Sequence, residues 1–201
     1  MNYEIHITVT TTDVEKFKSD CYSIGVKPLV IETENNNNFE HQVMTSSKHY
    51  ASTNDGYKYT LGRTVKELEL MGYTVIRQKV EREPERNEFG VGIKHDTFQY
   101  YESHLRLKIP HGYDLNPFKA KITNKVWHLS KNLFKRDETH YYQMLTYREN
   151  RLDLQPFEHN VSLMKMVLDL EGIEYDKVEI EECIYDTNVD VDASWLKEKN
   201  I

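Results

Sequence analysis

The sequence predicts an α+β fold in which two tandem ferredoxin-like repeats, each ordered βαββαβ, form one pseudo-symmetric unit around a shared polar cleft or barrel. The first observation is a Tyr-Glu-x-His segment followed by an alternating strand, at Tyr3 and again at Tyr101, 98 residues later. Two later landmarks, a strand glutamine and a helix-ending glycine, recur 101 and 100 residues apart. Similar spacing in the same order indicates an internal duplication.

The first repeat begins with the strand YEIHITV (3–9), in which apolar and polar residues alternate. A helix is expected at Asp13–Ile24, followed by the strand HQVMTSS (41–47). The amphipathic segment VKELELMG (65–72) predicts a second helix, and its final glycine suits a left-handed C-terminal cap. The last strand is YTVIRQKVERE (73–83).

The second repeat has the same order. Its first strand is YESHLRLKI (101–109), and the following helix is expected at Asn116–Leu133. The strand YYQMLTYR (141–148) comes next. The helix SLMKMVLDLEG (162–172) also ends at glycine, and EYDKVEIEECIY (174–185) is the last strand.

These elements divide the chain into four parts. The first repeat covers residues 1–90, a linker covers 91–97, and the second repeat covers 98–188. An acidic C-terminal tail follows at 189–201. The connection between the repeats is charged and contains proline and glycine, which is typical of linkers.

Composition narrows the function classes. The net charge of −7 argues against nucleic acid, since binding its phosphates needs clustered lysine and arginine, but a local basic pocket can still hold a small anionic ligand. No apolar run has the roughly 18 residues of a membrane helix, and no signal peptide is recognisable. Two cysteines do not form a disulfide framework, so we expect a cytoplasmic protein. The sequence does not indicate an oligomeric state.

Strand alternation predicts which side chains share a face. Ile5, Ile7 and Val9 point one way from the first strand, and Glu4 and His6 point the other way. Applied to the first and last strands of both repeats, this alternation predicts one set of charged residues on the open faces. The set is Glu4, His6, Arg77, Lys79, Glu81, Glu102, His104, Arg106, Lys177, Glu179 and Glu181.

Buried charges add little stability unless they are paired, so a cleft lined in this way indicates a charged ligand or a metal. The alternative is that the two faces stay apart and hydrated, or that they pair only as a salt-bridge network.

Two histidines from equivalent strands predict acid–base catalysis. His6 and His104 could act as general base and general acid on a phosphoester or nucleotide-like small molecule. The run His6-Ile7-Thr8 resembles the His-x-Thr motif of two-histidine phosphoesterases, in which the hydroxyl holds a phosphate oxygen. In the second repeat Arg106 stands where that hydroxyl is expected.

The remaining residues of this predicted hydrolase site have supporting roles. Glu4 and Glu102, two residues before each histidine, would orient the imidazoles. The predicted substrate-binding residues are Thr8, Arg77, Lys79, Arg106, Lys177 and Arg148.

A divalent-metal enzyme is the first alternative. One histidine from each first strand and one glutamate from each last strand resembles the metal set of glyoxalase-type, vicinal-oxygen-chelate proteins. Under this alternative the ligands are His6, Glu81, His104 and Glu181, which suit zinc, nickel, iron or manganese. Those modules lack the second helix predicted here in each repeat.

Two further alternatives stay open. The run VEIEE (178–182) is similar to strands of triphosphate-tunnel enzymes, which bind a polyphosphate through metal, but the Glu-x-Glu-x-Lys opening of those enzymes is absent. A non-catalytic module that binds a small anion or a protein would need the lysines and arginines but no histidine chemistry.

Overall fold

The computed structural model describes residues 1–35, 38–53, 55–122 and 126–192. Its elements follow the order strand, helix, strand, strand, helix, strand twice. The first half contains β1 (Asn2–Thr10), α1 (Val14–Ser23), β2 (Lys27–Asn35), β3 (Asn38–Tyr50), α2 (Tyr57–Leu70) and β4 (Thr74–Arg82). The second half contains β5 (Tyr100–Pro110), α3 (Asn116–Ile122), β6 (Trp127–Arg136), β7 (His140–Glu149), α4 (Leu154–Leu170), β8 (Glu174–Asp186) and a 3₁₀ helix (Val189–Asp192).

The eight strands form one closed antiparallel barrel in the order β1-β3-β2-β6-β7-β5-β8-β4. The predicted fold class, an α+β arrangement of two ferredoxin-like repeats, is therefore wrong. Separate sheets would leave β2 and β4, and likewise β6 and β8, with an unpaired edge. Instead β2 pairs with β6 and β4 pairs with β8, so these backbone groups are satisfied across the two halves.

The apolar core lies between the outer face of the barrel and the helices. In the first half, Ile5 and Ile7 of β1 belong to the same buried cluster as Phe17 of α1 and Leu61 and Leu68 of α2. The alternation predicted for the first strand is confirmed, because Ile5 and Ile7 are almost fully buried there. The inside of the barrel consequently receives the opposite face of each strand, which is polar in β1, β4, β5 and β8.

An equivalent cluster covers the second half. Leu105 and Leu107 of β5 pack in it together with Phe157, Val161 and Leu168 of α4. The helices of both halves therefore pack on the outside of the barrel and do not fill its interior.

The two helix-ending glycines behave as predicted. Gly72 has φ +91° and Gly172 has φ +65°, the left-handed region in which glycine is favoured. The next residue in each case donates its backbone N–H to the carbonyl of Leu68 or Leu168, at 3.1 and 3.0 Å. This is the Schellman arrangement, which satisfies carbonyls at the end of a helix and directs the chain into the following strand.

The helix predicted at Asn116–Leu133 is wrong beyond Ile122, because Trp127–Arg136 form β6. This strand pairs with the following strand β7 and with the distant strand β2, and these pairings fix its extended conformation. The predicted division into 1–90 and 98–188 stays a prediction.

The C-terminal tail predicted at 189–201 begins as a 3₁₀ helix, and its residues 193–201 lie outside the described part of the chain. The longest helix, α4, has 17 residues. No helix among the described residues combines the length and the hydropathy that a bilayer crossing requires.

Candidate functional site

The barrel encloses a cavity of about 230 Å³ that receives side chains from all eight strands. All twelve residues predicted from the sequence for catalysis, substrate binding or metal binding line it. They are Glu4, His6, Thr8, Arg77, Lys79, Glu81, Glu102, His104, Arg106, Arg148, Lys177 and Glu181. The roles of these residues stay predictions, but their common location is a property of the fold.

Strand register places acids opposite acids in the lining. Glu4 of β1 faces Glu81 of β4, and Glu102 of β5 faces Glu181 of β8. Like charges directly opposite each other on neighbouring strands destabilise a sheet, so each pair needs a compensating positive charge.

His6 lies between two carboxylates. Its Nε2 is 3.3 Å from Glu81 and 3.5 Å from Glu4, and its Nδ1 is 3.2 Å from the backbone carbonyl of Thr45. Burial lowers the pKa of His6, but the hydrogen bond and charge of Glu81 outweigh it and raise the pKa. His6 also acts on Glu4. Burial raises the pKa of Glu4, but His6, Ser46 and Lys48 outweigh this effect and lower the pKa to about 2. A protonated imidazole is thereby favoured.

His104 has an equivalent environment in the second half. Its Nε2 is 3.3 Å from Glu102 and 3.8 Å from Glu181, and its Nδ1 is 3.0 Å from the hydroxyl of Thr146. Burial lowers the pKa of His104, but Glu102 and Glu181 together raise it to about 9. This histidine therefore carries its proton at neutral pH when no cation is bound.

Lys79 lies at the centre of the ionic interior. Its Nζ is 2.7 Å from Glu81 and also contacts Glu102. Glu102 receives a second cation from Arg148, 2.8 Å away. Burial raises the pKa of Glu102, but Arg148 and Lys79 hold it well below its usual range. Glu102 is thus fully engaged within the protein, which fits a positioning role better than proton transfer.

Two of the three arginines predicted to bind substrate, Arg77 and Arg148, are already paired with buried acids of the chain. Arg77 contacts Asp186 at 2.5 Å and Asp192 at 2.7 Å. Arg148 also contacts Asp192 at 2.7 Å. Asp186 and Asp192 were not among the residues predicted for the site. The only available signal was the acidic run after the last strand, which does not show that these residues turn inward.

Arg106 and Lys177 line the cavity near the opposite end. Arg106 makes two hydrogen bonds to Asp176, at 2.5 and 2.8 Å, and Lys177 is 2.5 Å from Glu179. Both cations are partly exposed. Thr8 is buried opposite Arg77 in the register of β1 and β4.

Three residues could hold a metal ion. One ligand atom each from Glu81, His104 and Glu181 lie within 4.8 Å of one another. Glu81 is 0% exposed, and its carboxylate lies 2.7 Å from Lys79 and 3.3 Å from His6. Burial and the nearby charge of Glu81 raise the pKa of Glu181 to about 7. The fourth predicted ligand, His6, lies beside this group through its contact with Glu81.

The fold and the site together define a closed antiparallel barrel with an ionic interior and a carboxylate–histidine cluster. No protein-family model matches the chain, and a search of curated proteins gives no match.

Proposed function

We propose that the protein is a hydrolase that binds a phosphoester or a nucleotide-like small anion inside the barrel, with a divalent cation held by Glu81, His104 and Glu181. The observation that carries this proposal is the gathering of one ligand atom each from Glu81, His104 and Glu181 within 4.8 Å of one another, with Glu81 fully buried. Carboxylates and imidazole in one group suit zinc, manganese, iron or nickel.

Charge inside the cavity supports an anionic substrate. Its lining contains six lysines and arginines and six aspartates and glutamates. With the histidines counted as neutral, the formal charges of the lining therefore balance although the whole chain carries −7, and a divalent cation at the Glu81 cluster would make the interior positive. A small phosphorylated molecule would find a favourable potential there that the outer surface does not offer.

Each residue of the proposed site has a separate role in hydrolysis. A cation bound at this cluster would screen phosphate charge and lower the pKa of a bound water. His6, which is adjacent to the cluster but is not one of its three members, is placed to transfer a proton. Glu4 orients His6, and Lys79 keeps Glu81 and Glu102 ionised.

A metal enzyme of the vicinal-oxygen-chelate type is the second candidate, because three of the four ligands that this resemblance implies, Glu81, His104 and Glu181, gather. A non-catalytic module that binds small anions is the third candidate. It is supported by the dense pairing of the arginines, which gives a preformed site without requiring proton transfer. A cytoplasmic location remains part of the proposal.

The test combines metal analysis with turnover. Purified protein is assayed against nucleotides, cyclic phosphates and simple phosphoesters, with and without EDTA, and its metal content is measured after equilibrium dialysis. We expect phosphate or nucleoside release that EDTA abolishes. Glu181→Gln should bind metal at least about tenfold more weakly and lose turnover. Glu69→Gln, on the exposed surface of α2, is the matched control and should do neither.

Other outcomes separate the candidates. Full turnover by metal-free protein would show that hydrolysis needs no metal, and His104 would then act as the general acid. Bound metal with no release of phosphate would favour the chelate-type enzyme. Anion binding with neither metal nor turnover would leave the binding module.

A further inference from the structure

One end of the barrel is closed by the chain itself. The 3₁₀ helix Val189–Asp192 follows β8, and Asp192 lies in the cavity lining with 2% of its surface exposed. Arg77, which Asp192 contacts, is opposite Thr8 near the end of β1. Lys48, which is largely exposed, is opposite Glu4 near the start of β1. The Asp192 end is therefore the closed end, away from the exposed lysine.

Asp192 is held as a bound anion would be held. Its Oδ2 accepts hydrogen bonds from Nη1 of Arg77 and Nη2 of Arg148, both at 2.7 Å. Its Oδ1 accepts one from the side-chain amide of Gln42 at 3.1 Å. Two guanidinium groups and an amide converging on one carboxylate form the donor set that proteins use for phosphate groups.

The two arginines do not depend on Asp192 for their position. Arg77 also binds Asp186 through two nitrogens, at 2.9 and 2.5 Å, and Arg148 also binds Glu102. Removal of the Asp192 carboxylate would leave both guanidinium groups in place with free donors directed at one point.

Among the described residues, the contacts of Asp192 are the main interactions that hold the 3₁₀ helix. It has four residues, Val189 is 47% exposed and Asp190 is exposed. Besides the contacts of Asp192, the amide of Gln42 donates to the carbonyl of Val191 at 3.1 Å. A segment with so little buried apolar surface can exchange its carboxylate for another anion at small cost.

We propose that Arg77, Arg148 and Gln42 form an anion subsite for a phosphate group of the ligand, and that Asp192 fills this subsite until the ligand displaces it. The inference rests on the proposed phosphorylated ligand. It adds a second contact region to the barrel, separate from the Glu81 cluster. The 3₁₀ helix Val189–Asp192 then acts as a plug that leaves as the ligand binds.

Binding of inorganic pyrophosphate tests this inference without any hydrolysis. Calorimetric titrations at low ionic strength, with EDTA present so that no metal contributes, compare wild type, Asp192→Asn and Asp190→Asn. Asp192→Asn should bind pyrophosphate at least tenfold more tightly than wild type, because the internal competitor is gone. Asp190→Asn alters the same helix at an exposed position and should match wild type. Equal affinity of all three proteins, or no binding by any of them, overturns the inference.

A second measurement uses the wild-type chain and does not depend on the folding of a variant. Hydrogen–deuterium exchange of the peptide covering 188–192 is followed with and without saturating pyrophosphate. Faster exchange in the presence of pyrophosphate supports displacement, and unchanged exchange at saturation overturns it. Because neither experiment measures turnover, their failure leaves the proposed hydrolase untouched, and a failed turnover assay leaves the subsite untouched.

Discussion

Replacement of Lys79 by methionine should destabilise the protein far more than the same change at an exposed lysine. Methionine has similar length but no charge, so Glu81 loses its nearest cation, 2.7 Å away, and Glu102 loses one of three cations, keeping Arg148 and the protonated His104. Both carboxylates are buried, with 0% and 1% exposed. Removing one partner of a buried ion pair costs about 3–5 kcal/mol, because the remaining charge is left without compensation.

The cations that remain beside the two carboxylates place the expected loss of stability at the lower end of this range. Glu102 keeps Arg148 at 2.8 Å, and Glu81 keeps His6 at 3.3 Å, so part of the compensation survives. We therefore expect a loss of about 3 kcal/mol in the free energy of unfolding at pH 7. For a chain of this length the melting temperature should fall by about 6–12 °C.

Lys48→Met is the matched control. Lys48 also contacts two carboxylates, those of Glu4 at 3.1 Å and Glu179 at 3.5 Å, but its side chain is 68% exposed. An exposed pair contributes less than about 1 kcal/mol. Urea unfolding of both variants measures the difference, and Lys79→Met/Glu81→Gln should recover at least about 1 kcal/mol relative to Lys79→Met. If Lys79→Met costs no more than Lys48→Met, the interior carboxylates do not depend on Lys79 and the reasoning is refuted.

Two more predictions concern stability. Burial and a neighbouring arginine lower the pKa of His128 to about 4. As the pH falls, the unfolded chain therefore takes up a proton at this histidine before the folded chain does. Up to about 3 kcal/mol of the free energy of unfolding should be lost between pH 6.5 and pH 4. His128→Gln should flatten this part of the curve of unfolding free energy against pH, and an unchanged slope would contradict the assignment. Gly62→Ala in α2, with no atom near the added Cβ, should stabilise by about 0.5–1 kcal/mol. Gly172→Ala, at φ +65°, should destabilise by about 1 kcal/mol, and thermal melts showing the same sign for both glycines would contradict this reasoning.

The side chains of the site could be predicted because strand alternation is a local property. Glu4 and His6 must point away from Ile5 and Ile7, whatever the rest of the chain does. The glycine caps at Gly72 and Gly172 were predictable for the same reason, since a left-handed residue at a helix end depends on its own backbone.

Closure of the barrel could not be predicted in this way. It depends on pairing between β2 and β6 and between β4 and β8, which are distant in sequence, and no local pattern specifies these ladders. The same limit explains β6, whose amphipathic sequence permits a helix until β2 and β7 are available as partners. Asp186 faces inward because the register of β4 and β8 shifts between Val80 and Glu81. The alternation of polar and apolar residues in the sequence does not reveal such an irregularity.

The opposed glutamates of the barrel interior bear both on the stability of the protein and on its proposed function. Lys79 compensates one member of each pair, Glu81 and Glu102, while Glu4 receives Lys48 and Ser46 from the neighbouring strand. Among the described residues, Glu181 has only His104, at 3.8 Å, as an ion-pair partner. An interior selected only for stability would place an apolar side chain at such a position, since replacing buried charges with apolar groups is often neutral or stabilising. The protein instead retains a carboxylate without a lysine or arginine beside it, next to an imidazole and a buried glutamate. Under the proposed function, a divalent cation at Glu81, His104 and Glu181 would supply positive charge at this position.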